Sequence, residues 1–145
     1  QKLDFLTLIA TEFGSQALMV GIDCTKNSDG WSCLSNCGSN SEEVELDDHL
    51  LRVQSAGAGE LLIQSIDRDG VMGGLDLELL KYVTDRVSIP VIGAGGVGNY
   101  HDLLAGYIIN GIDAIGVASL FHFTDSNPLR AKAMLQNHKL SFKVI

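Results

Sequence analysis

A chain of 145 residues has the length of about one domain. Its composition is that of an ordinary α/β protein, 46% hydrophobic and 19% charged, with 16 glycines and 2 prolines. A net charge of −8 argues against nucleic acid or an anionic membrane surface as the main partner, and no apolar run approaches the ~20 residues of a membrane span.

The chain opens at Gln1 without a secretory signal, directly in a helical pattern, so a fragment or trimmed product is expected. Leu3, Leu6, Ile9, Ala10 and Phe13 recur at helical spacing, and Gly14 stops the helix. Ala17 to Ile22 reads as a strand ending at Asp23. Residues 24–44 read as a polar loop with turn signals at Asn27, Asp29-Gly30 and Gly38, and Trp31 to Leu34 can add a short strand or hairpin within it. Glu45 to Ser55 is helical, and Glu60 to Ile66 is the second strand. Asp76 caps a helix running to about Val87. The third strand lies near 89–93 and ends in Gly93-Ala-Gly-Gly96; Tyr100 to Ile109 is the next helix. The fourth strand lies near 113–118, and Pro128 to Asn137 forms a terminal helix. Cys24, Cys33 and Cys37 lack paired spacing, which fits free thiols and a cytoplasmic setting.

Strands and helices alternate through short connections, which predicts a parallel sheet with right-handed crossovers. Four such strands make half of a (β/α)8 barrel or a small open sheet, and periodicity alone does not choose between them. Two open edges are expected, at Ala17 to Ile22 and Ala114 to Val117, with Val20, Ile22, Leu62, Val91 and Val117 as candidates for the uncovered inner face. Ligands in parallel α/β folds bind beyond the carboxyl ends of the strands. The polar burst after Leu61-Leu62-Ile63 therefore marks Asp67, Asp69 and Gly70 as site candidates.

Glu60 to Gly70 followed by Asp76, then Ile89 to Gly96, then Ala118-Ser-Leu-Phe-His-Phe123 together resemble the cyclase subunit of imidazole glycerol phosphate synthase. Phe13-Gly-Ser-Gln16 and Gly21-Ile-Asp23 fit the same family just upstream. The resemblance implies a (β/α)8 TIM barrel of which this chain holds only the carboxyl-terminal (β/α)4 half. It implies a lyase of histidine biosynthesis that closes a ring with ammonia from a glutaminase partner. It implies that Asp23 is one of two acid/base aspartates, the other lying in the missing half. It also implies that Asp69, Gly70, Gly96, Ala118 and Ser119 bind a substrate phosphate, and that Glu60 belongs to a charged ring where ammonia enters.

The chemistry of the residues is compatible with this. Gly95-Gly96 permits close approach of an anion to the backbone, the helix starting near Asn99 offers N–H groups, and Ser119 offers a hydroxyl. The bland alternatives are tight turns for the glycines, a strand-end cap for Asp23 and a surface carboxylate for Glu60. The chain departs from the family pattern in several places. The stretch Ser35 to Ser39 and the acidic residues after it replace a more basic loop; Gln64 stands for a threonine and Ala94 for a serine; Asn99 to Gly111 reads one residue longer than the family pattern.

No metal site is expected, since Cys33, Cys37 and His49 lack a fourth ligand. Cys24 beside Asp23 reads as a small strand-end thiol rather than a nucleophile. No cofactor is expected either: the glycine run is not read as a dinucleotide fingerprint, because no suitable acidic residue follows about 20 positions on. Three readings remain: the cyclase half-barrel; an ammonia-using paralog in surface-polysaccharide sugar amidation; and a non-catalytic phosphate-binding module. In each, the partners are a phosphorylated small molecule and either a missing amino-terminal half-barrel or a second copy of the chain.

Overall fold

The chain is described by a computed structural model over residues 3–142, and the ends of the 1–145 span expected to form one unit lie outside those residues. Helix α1 (Asp4–Phe13) stops at Gly14, which takes a φ of 84°, and a 3₁₀ turn leads into β1 (Met19–Asn27). Strands β2 (Gly30–Ser35) and β3 (Asn40–Glu45) precede helix α2 (Leu46–Ser55). The alternation then runs β4 (Glu60–Ser65), α3 (Leu77–Thr84), β5 (Val91–Ala94), α4 (Tyr100–Ala105) and β6 (Ala114–Gly116). Two further helices, α5 (Ser119–Phe123) and α6 (Pro128–Asn137), close the described segment.

One sheet holds all six strands in the order β3-β2-β1-β4-β5-β6. The pairs β1/β4, β4/β5 and β5/β6 are parallel, as the β–α alternation predicts. The architecture is α/β, a partial (β/α) barrel.

The expected polar loop at 24–44 is instead mostly sheet. β1 continues to Asn27, and the Asn27-Ser-Asp-Gly30 turn folds β2 back antiparallel, pairing Asp23 with Leu34 and Asn27 with Gly30. The Asp29 N–H donates to Asn27 Oδ1 at 2.8 Å, and Gly30 takes a φ of 141° that other residues rarely adopt. Polar composition did not prevent strand formation because β2 alternates, placing Cys33 in the core while Ser32 and Leu34 lie on the other face. Trp31 anchors the hairpin to the helices. Its ring centroid lies 4.9 Å from that of Tyr82 on α3. The Tyr82 hydroxyl donates to Asp47 of α2 at 2.6 Å, and Arg86 stacks 3.4 Å from the Tyr82 ring while pairing with Asp47.

The hairpin corrects one expected edge. β2 covers β1 from Asp23 to Asn27, leaving only Met19 to Ile22 without a partner on that side; β6 pairs with β5 alone. The inner face is also corrected. Ile22, Cys24, Leu61, Ile63 and Val91 belong to the buried core with Leu50 and Val53 of α2 and Leu79, Leu80 and Val83 of α3. Val20, on the same side of β1 as Ile22, and Val117 pack against that core. Each such large side chain, removed from water, contributes about 1.5–3 kcal/mol. Leu62 alone among the five candidates lies on the inner face of its strand.

Register gives the inner face in levels. Gly21, Leu62, Ile92 and Ala114 share one level, and Asp23, Gln64, Ala94 and Gly116 share the next, nearer the carboxyl ends. A π-helical turn at Gly106–Asn110 follows α4 and ends at Gly111 in the left-handed region.

Candidate functional site

The loops after β4, β5 and β6 enclose a cavity of about 250 Å³ lined by Leu62, Gln64, Asp69, Met72, Ala94, Gly95, Gly96, Val97, Gly116, Val117, Ala118 and Ser119. The structure thus brings together four of the five phosphate-site candidates, Asp69, Gly96, Ala118 and Ser119. Gly70 adjoins them without lining the cavity, as an exposed turn residue with a φ of 73°.

Gly95 and Gly96 take φ values of 91° and 98°, consecutive left-handed positions that favour glycine. A Cβ on Gly95 would lie 2.6 Å from the Ser65 carbonyl oxygen, and one on Gly96 would lie 2.3 Å from the Gly74 carbonyl oxygen. Tight packing between the loops therefore requires both glycines whether or not a ligand binds. The loops are joined by the Gly74 N–H, which donates to Gly96 O at 2.8 Å. Gly95, Gly96 and Val97 are nevertheless buried, and among the described residues their own N–H groups donate to no protein acceptor. All three residues line the cavity, so N–H groups without a protein acceptor there are left for water or an anion. The Ser119 hydroxyl and the Asp69 carboxylate also have no protein hydrogen-bond partner among the described residues.

The start of α4 does not contribute as the sequence suggested. Asn99 Oδ1 accepts from the N–H groups of His101 and Asp102, and Asp102 Oδ2 accepts from those of Gly98 and Asn99. This capping box occupies the N–H groups expected to face phosphate.

Asp23 lies apart from this cluster. It is half-buried and lines a second cavity of about 380 Å³ with Ser35, Glu42, His49 and Arg52, between β1, the hairpin and α2. Its carboxylate has no protein hydrogen-bond partner among the described residues. In the ladder Asp23 pairs with Gln64, and Gln64 with Ala94. At about 4.8 Å per strand, Asp23 stands about 10 Å from the edge of the phosphate cradle. Glu60 is exposed at the amino-terminal start of β4, the opposite end of the sheet.

Asp67 proves to be a tether. Its carboxylate accepts from Thr25 Oγ1 and from the Lys26 N–H, both at 2.7 Å, and so joins the β4–α3 loop to the end of β1. The Lys26 N–H first, and then the Thr25 hydroxyl, hold its pKa below the ordinary carboxylate value. A depressed folded-state pKa means that the tether stabilises at every pH above the ordinary value and is lost as pH falls through the lowered one. The Lys26 amide chemical shift is therefore expected to stay flat from neutral pH down to about pH 5 and to titrate with a midpoint below the ordinary carboxylate value of about 3.9. A midpoint at or above that value would show that the tether does not form. Asp67→Ala is expected to cost on the order of 1 kcal/mol, since solvent screens an exposed carboxylate.

Cys24 and Cys33 face each other across β1 and β2 and are both buried. Burial pushes the Cys24 thiol far above the ordinary range and the Cys33 thiol up to about 11, so neither supplies a thiolate nucleophile near neutral pH. Gly93, Gly95 and Gly98 do stand at dinucleotide-fingerprint spacing. The carboxylate about 20 positions on, Asp113, precedes β6 and accepts from the Val91 N–H at 2.9 Å, at the wrong end of the sheet for a ribose. Among the described residues no group of three or more His, Cys, Asp or Glu side chains is placed to hold a metal ion, and no helix is long and apolar enough to cross a membrane.

Residues 1–127 match the histidine biosynthesis protein family. The chain belongs to that family. A family relative from Vibrio vulnificus (strain YJ016), provisionally named imidazole glycerol phosphate synthase subunit hisF2, is 38% identical over 141 residues. The alignment takes in 97% of this chain and 52% of the relative, so the chain spans about half the length of the curated relative it matches. Membership in the histidine biosynthesis family agrees with the resemblance read from Glu60–Gly70, Ile89–Gly96 and Ala118–Phe123. Two features were missed in sequence reading. The Asn99…Asp102 capping pattern was legible but unused, whereas the Asp67 tether depends on β1 reaching Lys26, which no local pattern announced.

Proposed function

We propose that this chain is the phosphate-binding, carboxyl-terminal part of a cyclase of the imidazole glycerol phosphate synthase kind, a lyase that uses ammonia from a glutaminase partner. The observation that carries the reading is that the N–H groups of Gly95, Gly96 and Val97 have no protein acceptor among the described residues and that these residues line one cavity with Ser119. Backbone donors of this kind hold a phosphate without needing a cation, which suits a chain of net charge −8. Asp69 is anionic, so its role is to accept from a substrate hydroxyl rather than to meet phosphate. Asp23 acts as a general acid or base at the other end of the substrate, and Glu60 lies at the face where ammonia enters. The relative named imidazole glycerol phosphate synthase subunit hisF2 supports the choice of reaction.

A specific observation favours a second reading, an ammonia-using paralog with a different substrate. Glu42 lines the cavity beside Asp23 on a hairpin that runs into Glu43, Glu45, Asp47 and Asp48. In the cavity itself Asp23 and Glu42 face a single cationic side chain, Arg52, and this balance of charge disfavours a second phosphate near Asp23.

The test is calorimetry with inorganic phosphate. Binding is expected, and Ser119→Ala is expected to weaken it about five- to tenfold through loss of one donor to a charged group. Absence of phosphate binding, or an unchanged affinity in Ser119→Ala, would overturn the site. Turnover of the phosphorylated ribulosyl imidazole-carboxamide intermediate with ammonia, in an assembly containing the missing half, separates the cyclase from the paralog.

A further inference from the structure

Gln64 occupies a position that neither the acid/base proposal nor the phosphate proposal uses. It is a ladder neighbour of Asp23 on one side and of Ala94 on the other, so the three share one level of the inner face. It is half-buried and lines the cavity that holds Asp69, Gly95, Gly96 and Ser119. Its carboxamide has no protein partner among the described residues, although a carboxamide carries two donor hydrogens and an acceptor oxygen. Its neighbours on the same level toward β6 are Ala94 and Gly116, which offer only a methyl group and a hydrogen. At that level Gln64 is therefore the polar side chain standing between the phosphate cradle and Asp23.

We infer that Gln64 is a specificity-determining residue: its carboxamide hydrogen-bonds a hydroxyl on the carbon chain of a phosphate monoester seated in the Gly95–Gly96 cradle. This rests on the proposed phosphate site and adds the class of substrate it takes. The geometric reason is reach. A ligand that places phosphate in the cradle and its reacting end at Asp23 must cross about 10 Å, two strand spacings, and passes Gln64 on the way. A hydroxyl both donates and accepts, which matches the two-sided chemistry of the carboxamide. An alkyl chain in the same place would leave that carboxamide partly desolvated and unpaired. Small residues at 94 and 116 leave room for the ligand chain on the β6 side of Gln64. Asp69, on the same cavity wall, supplies an acceptor for a second hydroxyl.

The experiment uses the full chain and three probes: inorganic phosphate, glycerol 3-phosphate and propyl phosphate, the last matching glycerol phosphate in length without its hydroxyls. Calorimetry is expected to show glycerol 3-phosphate binding about tenfold tighter than propyl phosphate. Gln64→Met keeps the side-chain volume and is expected to abolish that preference while leaving inorganic phosphate affinity unchanged. Gln64→Asn, which keeps the carboxamide on a shorter stem, is expected to retain part of the preference. If phosphate binds and the preference persists in Gln64→Met, the assignment to Gln64 is wrong and the phosphate site stands. If Gln64→Met weakens all three probes equally, the residue supports the fold and does not read the ligand. If no probe binds the native chain, the phosphate site fails and the inference falls with it.

Discussion

Asp23→Asn is expected to lower turnover by about 10²- to 10⁴-fold in any assembly that completes the barrel, the range that general acid–base catalysis contributes. Asp23 lies on the inner face at the level of Gln64, near the carboxyl ends of the parallel strands where substrates bind in such folds. It is half-buried, and among the described residues its carboxylate is committed to no hydrogen bond or ion pair. A structural carboxylate would be tied down, as Asp67 is by Thr25 and Lys26 and Asp76 is by the Leu79 N–H. Because Asp23 has no such duty, replacing it with the isosteric carboxamide leaves no protein group orphaned. Stability should change by no more than about 0.5 kcal/mol. The carboxamide cannot exchange a proton at neutral pH, so the loss falls on the rate. Steady-state kinetics of the variant with the phosphorylated substrate and ammonia makes the check. Turnover within a factor of two or three of the native assembly would remove Asp23 from the chemistry.

The isolated chain is expected to associate rather than persist as a monomer. Beside the outer edge of the hairpin strand β3, two stretches of the parallel sheet have a ladder partner on one side only among the described residues, Met19 to Ile22 on β1 and Ala114 to Gly116 on β6, and unpaired edges template pairing with another chain. The inner face adds Leu62 and Ile92, which no helix covers from that side. Apolar side chains also stand in solvent near both ends of the sheet. Phe5, Leu8 and Phe13 of α1 are 65%, 67% and 65% exposed, and Phe123 after β6 is 80% exposed. α1 has no fully buried residue: Leu6 packs against the core, while Phe5, Leu8 and Phe13 remain in solvent. Burial recovers about 25 cal/mol per Å², and a standard interface removes about 1,600 Å² from water. The occupants we propose are an amino-terminal half-barrel or a second copy related by a two-fold axis, which would bring two Asp23 residues into one barrel. Light scattering at micromolar concentration should give at least twice the mass of one chain. The value should depend little on salt, because the contacts are apolar. A stable monomer at that concentration would mean that the sheet does not close with a partner.

The class of fold and the positions of the strand ends were written in local pattern. Glu60–Ser65 and Pro128–Asn137 lie where their apolar runs and breaker residues placed them, and the Asp76 cap was legible because its side chain serves its own helix. The glycines at 95 and 96 were legible as a site of close approach, although what approaches them in the structure is the backbone of Ser65 and Gly74. The π-helical turn at Gly106–Asn110 was announced by no local pattern.

Tertiary structure decided three things that local pattern does not contain. The first is which side of each strand faces inward. A parallel strand buried on both faces reads as an unbroken apolar run, so Ile22 and Val91 carry no periodic mark assigning them to the helices rather than the lumen. The second is the fate of residues 24–44. Their polarity suited a loop, but pairing with the extended end of β1 satisfied their backbone groups and made them sheet. The third is the division of the strand-end acidic residues into a tether at Asp67 and free carboxylates at Asp23 and Asp69. That division depends on which N–H groups from distant segments arrive beside each one, and such meetings are fixed only by the register of β1 against β4. Sequence by itself determined the alternation and the strand ends where chemistry sits; the ladder register determined which of those ends stand side by side.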